Sequence, residues 1–336
     1  MPRALDNSPS SPRPQTARKP GSLIWAHLQI ARIDHWTKNV FVLPGIIIPL
    51  LVEHTAFTVG LMVKLAVGIL SVCLVASSNY VLNEILDAPF DRFHPSKRSR
   101  PVVQGRVSIP LAYAQWITLM TVGMVIAWHV SKPLAATDGA LWLMGCTYNI
   151  PPIRSKDLPF FDVLSESVNN PLRLLAGWYM VTTSLIPPAS LLLSYWMVGG
   201  YFMAIKRFSE FRELGGEASL RNYRKSFKYY SERRLLVSIM FYASTAMLFL
   251  GAFIMRYRLE LILSFPFLAL VMAVYLNLAF EPGSVVQNPE RLHRAPVLMV
   301  SVILCVLVMI ILLSVNLPKV HQIFRPTLPN FTNDPG

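Results

Sequence analysis

The chain has 336 residues, of which 53% are hydrophobic and only 15% are charged. Soluble domains usually carry about 25% charged residues, so this composition excludes an ordinary soluble protein and favours a membrane protein. The formal net charge of +13 is of a size seen in nucleic-acid-binding proteins, but its distribution, described below, argues against nucleic acid as a partner.

Both ends of the chain differ from its middle. Residues 1–22 are polar and rich in Pro and Ser, which predicts a disordered N-terminal tail. Residues 23–38 mix apolar and polar positions at helical spacing and include Trp25 and Trp36, which favours a helix lying in the membrane interface. Residues 319–336 contain several prolines and predict an irregular tail, so that 23–318 form the transmembrane domain.

Apolar runs long enough to cross a bilayer follow one another through this domain. They predict an all-α, polytopic membrane protein with about nine transmembrane helices. The runs lie near 39–52, 58–82, 109–130, 135–150, 160–186, 188–205, 235–255, 259–280 and 295–317.

The basic residues fall mainly on one side of these runs. On this count the N-terminal region shares a side with the loops at 83–108, 151–159, 206–234 and 281–294, which hold most of the 31 Lys and Arg residues. Positive charge marks the cytoplasmic side of a membrane protein. We therefore expect a multi-pass protein of the inner (plasma) membrane, in contact with its lipids, whose N-terminus and active site face the cytoplasm.

The second run ends in the first group of candidate site residues. Asn83, Asp87 and Asp91 recur every fourth residue, which places them on one face of a helix, and Glu84 flanks that face. Neighbouring carboxylates repel one another, and Mg²⁺, which prefers hard oxygen ligands and commonly bridges to substrate phosphates, would offset that repulsion. The four residues are therefore candidate metal ligands.

A basic cluster follows this acidic group directly. Its members are Arg92, His94, Lys97, Arg98 and Arg100. Guanidinium and ammonium groups hold phosphate oxygens, so carboxylates followed by this cluster predict a site for Mg²⁺ and a diphosphate. The alternative is a solvated loop with ordinary positive-inside charge.

The fifth run carries a second group of polar residues. Asp162, Glu166, Asn169 and Arg173 fall within one stripe of a continuous helix. Ionisable groups inside a membrane indicate a functional site, and the alternative is a polar network that packs helix against helix. Arg173 is expected to pair with Glu166 or Asn169, or to reach a bound anion.

Two neighbouring segments add further candidates on the same side. In the preceding loop these are Tyr148 and Lys156 for substrate binding and Asp157 as a metal ligand. At the end of the sixth run they are Lys206, Arg207 and Arg212. These three basic residues predict a rim for a second phosphate group, and the alternative is an exposed helix end closed by Gly215 and Gly216.

The two acidic segments resemble the UbiA superfamily of intramembrane prenyltransferases. Asn83, Asp87 and Asp91 match the family's NDxxDxxxD motif, with Glu84 in place of the second Asp. Asp162 and Glu166 give DxxxE where the family often has DxxxD, and Asp157 is another candidate for this second motif.

Other segments look like the decaprenyl-phosphate phosphoribosyltransferase branch of that superfamily. They are IDHWTKNVFVLPGI (33–46), HPSKRSRPVVQG (94–105), the D-x10-LR-x2-AG pattern from Asp162 to Gly177, and KRFSEFRELG (206–215). The resemblance implies helices around a central cavity open to the cytoplasm and to lipid. It also implies Mg²⁺-dependent transfer of 5-phosphoribose from phosphoribosyl diphosphate to a polyprenyl phosphate, with Asp87, Asp91, Asp162 and Glu166 as catalytic residues and Asp162 among the metal ligands.

Three other functions remain compatible with these residues. One is prenyl transfer from an isoprenoid diphosphate to an aromatic or other small acceptor, another is terpene cyclisation, and the third is transport of an anionic lipid. Helix-end carboxylates in a metal-type pattern favour catalysis over transport. The oligomeric state and the length of the lipid are left open.

Overall fold

A computed structural model describes residues 20–93, 97–213, 225–287, 289–325 and 327. Within these ranges all regular secondary structure is helical, as the sequence predicts. Most of the predicted N-terminal tail, His94, and the end of the predicted C-terminal tail from residue 328 lie outside the described residues.

Helices of very different lengths follow one another along the chain. They are α1 (Pro20–Ile30), α2 (Leu43–Val52), α3 (Val59–Asp91), α4 (Ile109–Val130), α5 (Lys132–Asn149), α6 (Phe161–Ser167), α7 (Asn169–Val181), α8 (Ala189–Glu213), α9 (Glu232–Tyr257), α10 (Phe265–Leu278), α11 (Pro296–Ser314) and α12 (Pro318–Ile323). A 3₁₀ segment at Ile33–Val42 joins α1 to α2.

Six helical stretches in the described chain are long and apolar enough to cross a membrane. They are Leu23–Val52, Val59–Asp91, Ile109–Val130, Glu232–Tyr257, Leu259–Leu278 and Pro296–Ser314. The chain is thus a multi-pass helical membrane protein, but the predicted count of nine is not confirmed. The helices that fall short, α5, α7 and α8, are short or carry polar residues, and two of them, α5 and α8, contribute to the site described below.

The fifth apolar run is two helices and not one. Helix α6 ends at Ser167 and α7 begins at Asn169, with Pro171 in the first turn of α7. Proline has no N–H to donate to the carbonyl four residues earlier and crowds that carbonyl, so it favours the first turn of a new helix. The continuous helix assumed for the stripe from Asp162 to Arg173 is therefore wrong.

The ends of the transmembrane region also differ from expectation. The predicted interfacial helix at 23–38 ends at Ile30, because Arg32 takes a left-handed backbone conformation (φ 49°) before the 3₁₀ segment begins. The predicted irregular C-terminal tail contains the short helix α12.

Close helix contacts fix the positions of α2 and α7. A Cβ atom built on Gly45 would overlap the carbonyl oxygen of Leu174, and one built on Gly177 would overlap that of Val42. Small residues at such crossings let membrane helices approach closely. Helix α7 in turn follows α6, so this contact holds the second acidic segment in place.

Candidate active site

The polar residues of the bundle gather where α3 and α5 end, α6 begins and α8 ends. We call this region the polar end. It joins two groups of side chains, one around Asp87 and one around Arg207. The two acidic segments predicted from the sequence supply one group each.

The first group is centred on Asp87, in the last turn but one of α3. Its carboxylate accepts hydrogen bonds from Nη2 of Arg154, at 3.0 Å, and from Nζ of Lys156. Lys156 also donates to Oδ1 of Asn149, at 2.6 Å, and the same oxygen accepts from Nδ2 of Asn83, at 2.6 Å. The end of α5 and the following loop are thereby tied to the first acidic motif.

Arg154 connects the two acidic segments. Its Nη2 binds Asp87, and its Nε lies 3.3 Å from Oδ2 of Asp157. Arg154 has a left-handed backbone (φ 32°, ψ 60°), which is uncommon for a residue with a Cβ atom and is found more often at functional sites than elsewhere. Carboxylates from separate segments therefore converge around one positive charge.

Asp91 and Glu84 anchor the segments on either side of α3. Asp91 accepts from Nη1 of Arg100. Glu84 is almost wholly buried, lies 3.6 Å from Nη2 of Arg32, and accepts from the backbone N–H of Val102 at 3.4 Å. These bonds hold the N-terminal segment and the loop after α3 against the first motif.

The second group surrounds Arg207 of α8. Its guanidinium binds Asp162 at 3.0 Å, Glu210 at 3.1 Å and Glu166 at 3.3 Å. Asp162 is fully buried, and its other oxygen accepts from the hydroxyl of Tyr230. Burial and the neighbouring Asp162 carboxylate raise the pKa of Tyr230, so the hydroxyl stays protonated and donates.

Tyr148 and Lys97 link the two groups. The Tyr148 hydroxyl donates to Glu166 at 2.7 Å, and its ring centroid lies 5.7 Å from Nζ of Lys156. Nζ of Lys97 lies 4.0 Å from Oε1 of Glu210. Asp87 of the first motif and Glu166 of the second are therefore connected through Lys156 and Tyr148.

Two of the predicted site residues, Asn169 and Arg173, lie on α7 and contact each other and Asn39, outside the two groups described above. Arg173 donates to the side chain of Asn39 at 2.9 Å and to the backbone carbonyl of Asn169 at 3.3 Å. Of the two side chains expected to pair with Arg173, Glu166 binds Tyr148 and Arg207 instead, and Asn169 is contacted only through its backbone carbonyl.

The remaining predicted basic residues lie at the edge of the polar end. Arg212 binds Glu232 at 3.3 Å and stacks 5.0 Å from the Phe280 ring centroid. Arg98 is exposed, and Lys206 is half-buried. Arg212 and Arg98 therefore lie outside the central network.

Sequence reasoning missed several members of the network. They are Arg32, Asn149, Arg154, Glu210 and Tyr230. Arg154 lies between the candidates Tyr148 and Asp157, and this position in the loop could have indicated that it belongs to the site. Arg32 directly precedes the segment 33–46 that carries the family resemblance.

The carboxylates do not form a metal cluster by themselves. In the part of the chain that the structure describes, no three His, Cys, Asp or Glu side chains are grouped so as to hold a metal ion. Each carboxylate of the network binds at least one basic group. The arrangement is that of an ion-paired site with hard oxygen donors.

Residues 41–284 match the UbiA prenyltransferase family. The chain belongs to this family. A UbiA homolog from Archaeoglobus fulgidus bound to DMAPP and Mg²⁺ has a similar fold, with a TM-score of 0.65 and 18% sequence identity, covering 87% of this chain and 100% of that one. The UbiA fold predicted from the two acidic motifs is thus confirmed.

Several curated relatives are more similar to this chain in sequence. Decaprenyl-phosphate phosphoribosyltransferase of Mycolicibacterium smegmatis is 29% identical over 198 residues, covering 58% of this chain and 60% of the relative. Nodulation protein NoeC of Azorhizobium caulinodans is 30% identical over 189 residues, covering 56% and 58%. The chain thus spans about three fifths of the length of these relatives.

Proposed function

We propose that this UbiA-family protein transfers 5-phosphoribose from phosphoribosyl diphosphate to a polyprenyl phosphate. The similarity to decaprenyl-phosphate phosphoribosyltransferase supports this reaction over others in the family. We also propose that the polar end faces the cytoplasm from the inner (plasma) membrane, since its basic residues favour that side.

The observation that carries this choice is the number of separate elements that bring basic side chains to the polar end. Arg100 comes from the loop after α3, Arg154 and Lys156 from the loop before α6, and Lys206 and Arg207 from α8. Phosphoribosyl transfer brings in a diphosphate, a 5-phosphate and a lipid phosphate, whereas prenyl transfer brings in a single diphosphate. Basic groups on several elements suit the larger set of phosphates.

The donor set fits Mg²⁺. This ion usually binds through one or two carboxylates together with substrate phosphate oxygens and waters, so a protein-only cluster is not required. Asp87 and Asp157, which both contact Arg154, offer oxygens from two segments, and Asp91 lies one turn beyond Asp87. We assign Mg²⁺ to these three residues, and when bound it would neutralise charge on the diphosphate leaving group.

Asp162 and Glu84 have structural surroundings that suit another role. Both oxygens of Asp162 are engaged, one by Arg207 and one by Tyr230. Glu84 is buried against Arg32. We therefore propose that Asp162 positions Arg207 and that Glu84 fixes the N-terminal segment, although the sequence predicts both as metal ligands.

The reaction itself needs little acid–base chemistry. A phosphate oxygen of the lipid attacks the anomeric carbon of the donor, the new carbon–oxygen bond forms, and the diphosphate leaves with the electron pair of the broken bond. The attacking oxygen is already anionic, so no strong general base is required. Lys156 and Arg100 hold the departing diphosphate by charge-assisted hydrogen bonds, and catalysis rests on positioning and electrostatic stabilisation.

Prenyl transfer is the second candidate. The Archaeoglobus homolog is bound to DMAPP and Mg²⁺, which favours an isoprenoid diphosphate as donor with a small molecule as acceptor. Diphosphate is the leaving group in both reactions, but the isoprenoid carries it in prenyl transfer, whereas in phosphoribosyl transfer the ribose carries it and the lipid phosphate is the acceptor.

One assay separates them. Purified protein and Mg²⁺ are incubated with polyprenyl phosphate and phosphoribosyl diphosphate, and lipid products are analysed by mass spectrometry. We expect a polyprenyl phosphate that has gained 5-phosphoribose. Absence of this product, together with turnover of an isoprenoid diphosphate and an aromatic acid, would establish prenyl transfer instead.

Asp87→Asn tests the assigned centre in the same assay. The change removes the charge that binds Arg154, Lys156 and the proposed Mg²⁺, so we expect turnover to fall by at least about 100-fold. Glu281→Gln, an exposed carboxylate in the loop after α10, is the matched control and should retain full activity. Unchanged turnover in a folded Asp87→Asn protein would contradict the assignment.

A further inference from the structure

A pocket of about 220 Å³ lies at the end of the bundle opposite the polar end. Helix α9 begins at the edge of the polar end, where Glu232 binds Arg212, so its last residues reach this opposite end. The end of α9, the 3₁₀ segment Leu259–Ser264 and the chain around the start of α12 form the pocket. The residues that line it include Arg256, Tyr257, Arg258, Glu260, Asn316 and His321.

Two arginines bring positive charge to this pocket without a carboxylate partner. Within the part of the chain that the structure describes, neither Arg256 nor Arg258 forms an ion pair; Cζ of the exposed Arg256 lies 5.9 Å from the ring centroid of Tyr257. Arg258 donates from Nε, at 3.1 Å, and from Nη2 to the carbonyl oxygen of Leu313 on α11. Both guanidinium groups therefore keep donors for an anion, which is the kind of ligand that such forks bind best.

The carboxylate in the lining is already engaged by other groups. Only 2% of the Glu260 side chain is exposed, and its Oε1 lies 3.0 Å from Nε2 of His321. The same oxygen accepts from the backbone N–H of Leu317, at 3.3 Å. These contacts hold α12 against the 3₁₀ segment. Because Glu260 forms no ion pair with either arginine among the described residues, the two guanidinium groups dominate the charge that faces the pocket.

The position of the pocket suits a lipid headgroup. It lies where the membrane-spanning stretch Glu232–Tyr257 ends and the next one, Leu259–Leu278, begins. Met255 is 57% exposed and Tyr257 is 51% exposed, and tyrosine is enriched at the membrane–water interface. A volume of about 220 Å³ is below the roughly 300–1,000 Å³ of pockets that enclose whole small ligands. It therefore fits a headgroup whose acyl chains remain in the bilayer.

We propose that this pocket binds the phosphate of an anionic phospholipid from the adjacent membrane leaflet, with Arg256 and Arg258 as the phosphate-binding residues. Since Arg258 also holds the Leu313 carbonyl, the bound lipid would link the ends of α9 and α11. The alternative is that both arginines only complement the negative C-terminal end of α9. The inference does not depend on the proposed reaction, which takes place at the other end of the bundle.

Lipid binding measured by native mass spectrometry tests the pocket. Purified protein, without donor or acceptor, is titrated with a short-chain phosphatidylglycerol, with the matching diacylglycerol or with inorganic phosphate. Arg256→Gln and Arg258→Gln should each raise the Kd of one bound phosphatidylglycerol by about tenfold, because each removes a charge-assisted contact. Binding of diacylglycerol, which has no phosphate, should not change, and Arg256→Lys should retain most of the affinity. Inorganic phosphate should bind more weakly than the lipid, because it has no acyl chain.

Lys132→Gln is the matched control. Lys132 is exposed at the start of α5, whose other end reaches the polar end, and its Nζ lies 5.7 Å from the ring centroid of Trp128. It is thus a basic residue beside an aromatic ring at the same end of the bundle, and its replacement should leave lipid binding as in the wild type.

Thermal unfolding without lipid shows whether each variant is folded, and Arg256→Gln should fold because Arg256 makes no hydrogen bond within the described chain. An unchanged Kd for phosphatidylglycerol in both folded arginine variants would overturn the proposal. An equal loss of affinity in Lys132→Gln would also overturn it, because the attraction would then be general to surface charge. Inorganic phosphate that binds at these arginines as tightly as the lipid would overturn the choice of a lipid and establish a site for a soluble anion.

Discussion

Arg207 shares its guanidinium among three carboxylates in a nearly closed environment. Only 4% of its side chain is exposed, and Asp162, its partner at 3.0 Å, is fully buried. Removing one member of a buried ion pair leaves the other charges without compensation, at a cost of about 3–5 kcal/mol. Arg207 therefore has a structural role beside its proposed place among the phosphate-binding groups, and the loss of its charge should lower stability as well as activity.

Arg207→Met and Arg212→Met separate buried from exposed charge on one helix. We expect Arg207→Met to lower the free energy of unfolding by about 3–5 kcal/mol. Arg212→Met removes an exposed pair with Glu232 and should change it by less than about 1 kcal/mol. Unfolding in mixed micelles with increasing SDS measures both. Equal stability of the two variants would show that the Arg207 pairs are not strong in the membrane.

At the level of helices, the sequence predicted those features that depend on the spacing of residues within one helix. The spacing of Asn83, Asp87 and Asp91 required a helix that continues to Asp91, and α3 does so in spite of Pro89. The continuous helix predicted from Asp162 to Arg173 was wrong, because a new helix begins at Asn169 with Pro171 in its first turn. Pro89 lies inside a helix and Pro171 in the first turn of one, so the presence of a proline alone does not predict whether a helix continues or a new one begins.

Ion-pair partners could not be predicted from these patterns. Arg154 reaches Asp87 across 67 positions of the chain, and its direction depends on a left-handed backbone conformation that no periodic pattern encodes. For the second motif the sequence predicted Asp162, with Asp157 as another candidate. Their different burial separates them, since Asp162 is fully enclosed while Asp157 shares Arg154 with Asp87.

Gly177→Ala tests the contact between α2 and α7. The added methyl group would overlap the Val42 carbonyl oxygen, and overpacking of this kind typically costs about 1–3 kcal/mol. Gly251→Ala is the matched control, because a Cβ atom there would meet nothing within 4 Å and alanine favours a helix over glycine. We expect lower thermal stability in detergent for the first variant and equal or higher stability for the second. Equal stability of both would contradict the close approach.

Over the whole molecule, successive long helices run in alternating directions, so the loops and helix ends that carry most of the charged residues lie at one end. Helices α3 and α8 run toward the polar end, while α4 and α9 begin near it and run away. The opposite end holds Glu53, bound to Thr182 at 2.8 Å, and the C-terminal helix α12. This asymmetry predicts that the basic end lies in the cytoplasm, because positive charge marks that side of a membrane protein.

Labelling with a membrane-impermeant maleimide tests this orientation. Cysteine is introduced by Lys228→Cys at the polar end or by Lys319→Cys at the opposite end, both at exposed positions, after replacement of Cys73, Cys146 and Cys305. We expect intact spheroplasts to label only the Lys319→Cys protein, because the lipid bilayer shields the cytoplasmic side, and permeabilised ones to label both. Labelling of Lys228→Cys in intact spheroplasts would place the polar end outside the cell. A phosphoribosyl diphosphate donor made in the cytoplasm would then have no access to Asp87, so the same experiment bears on the orientation and on the choice of donor.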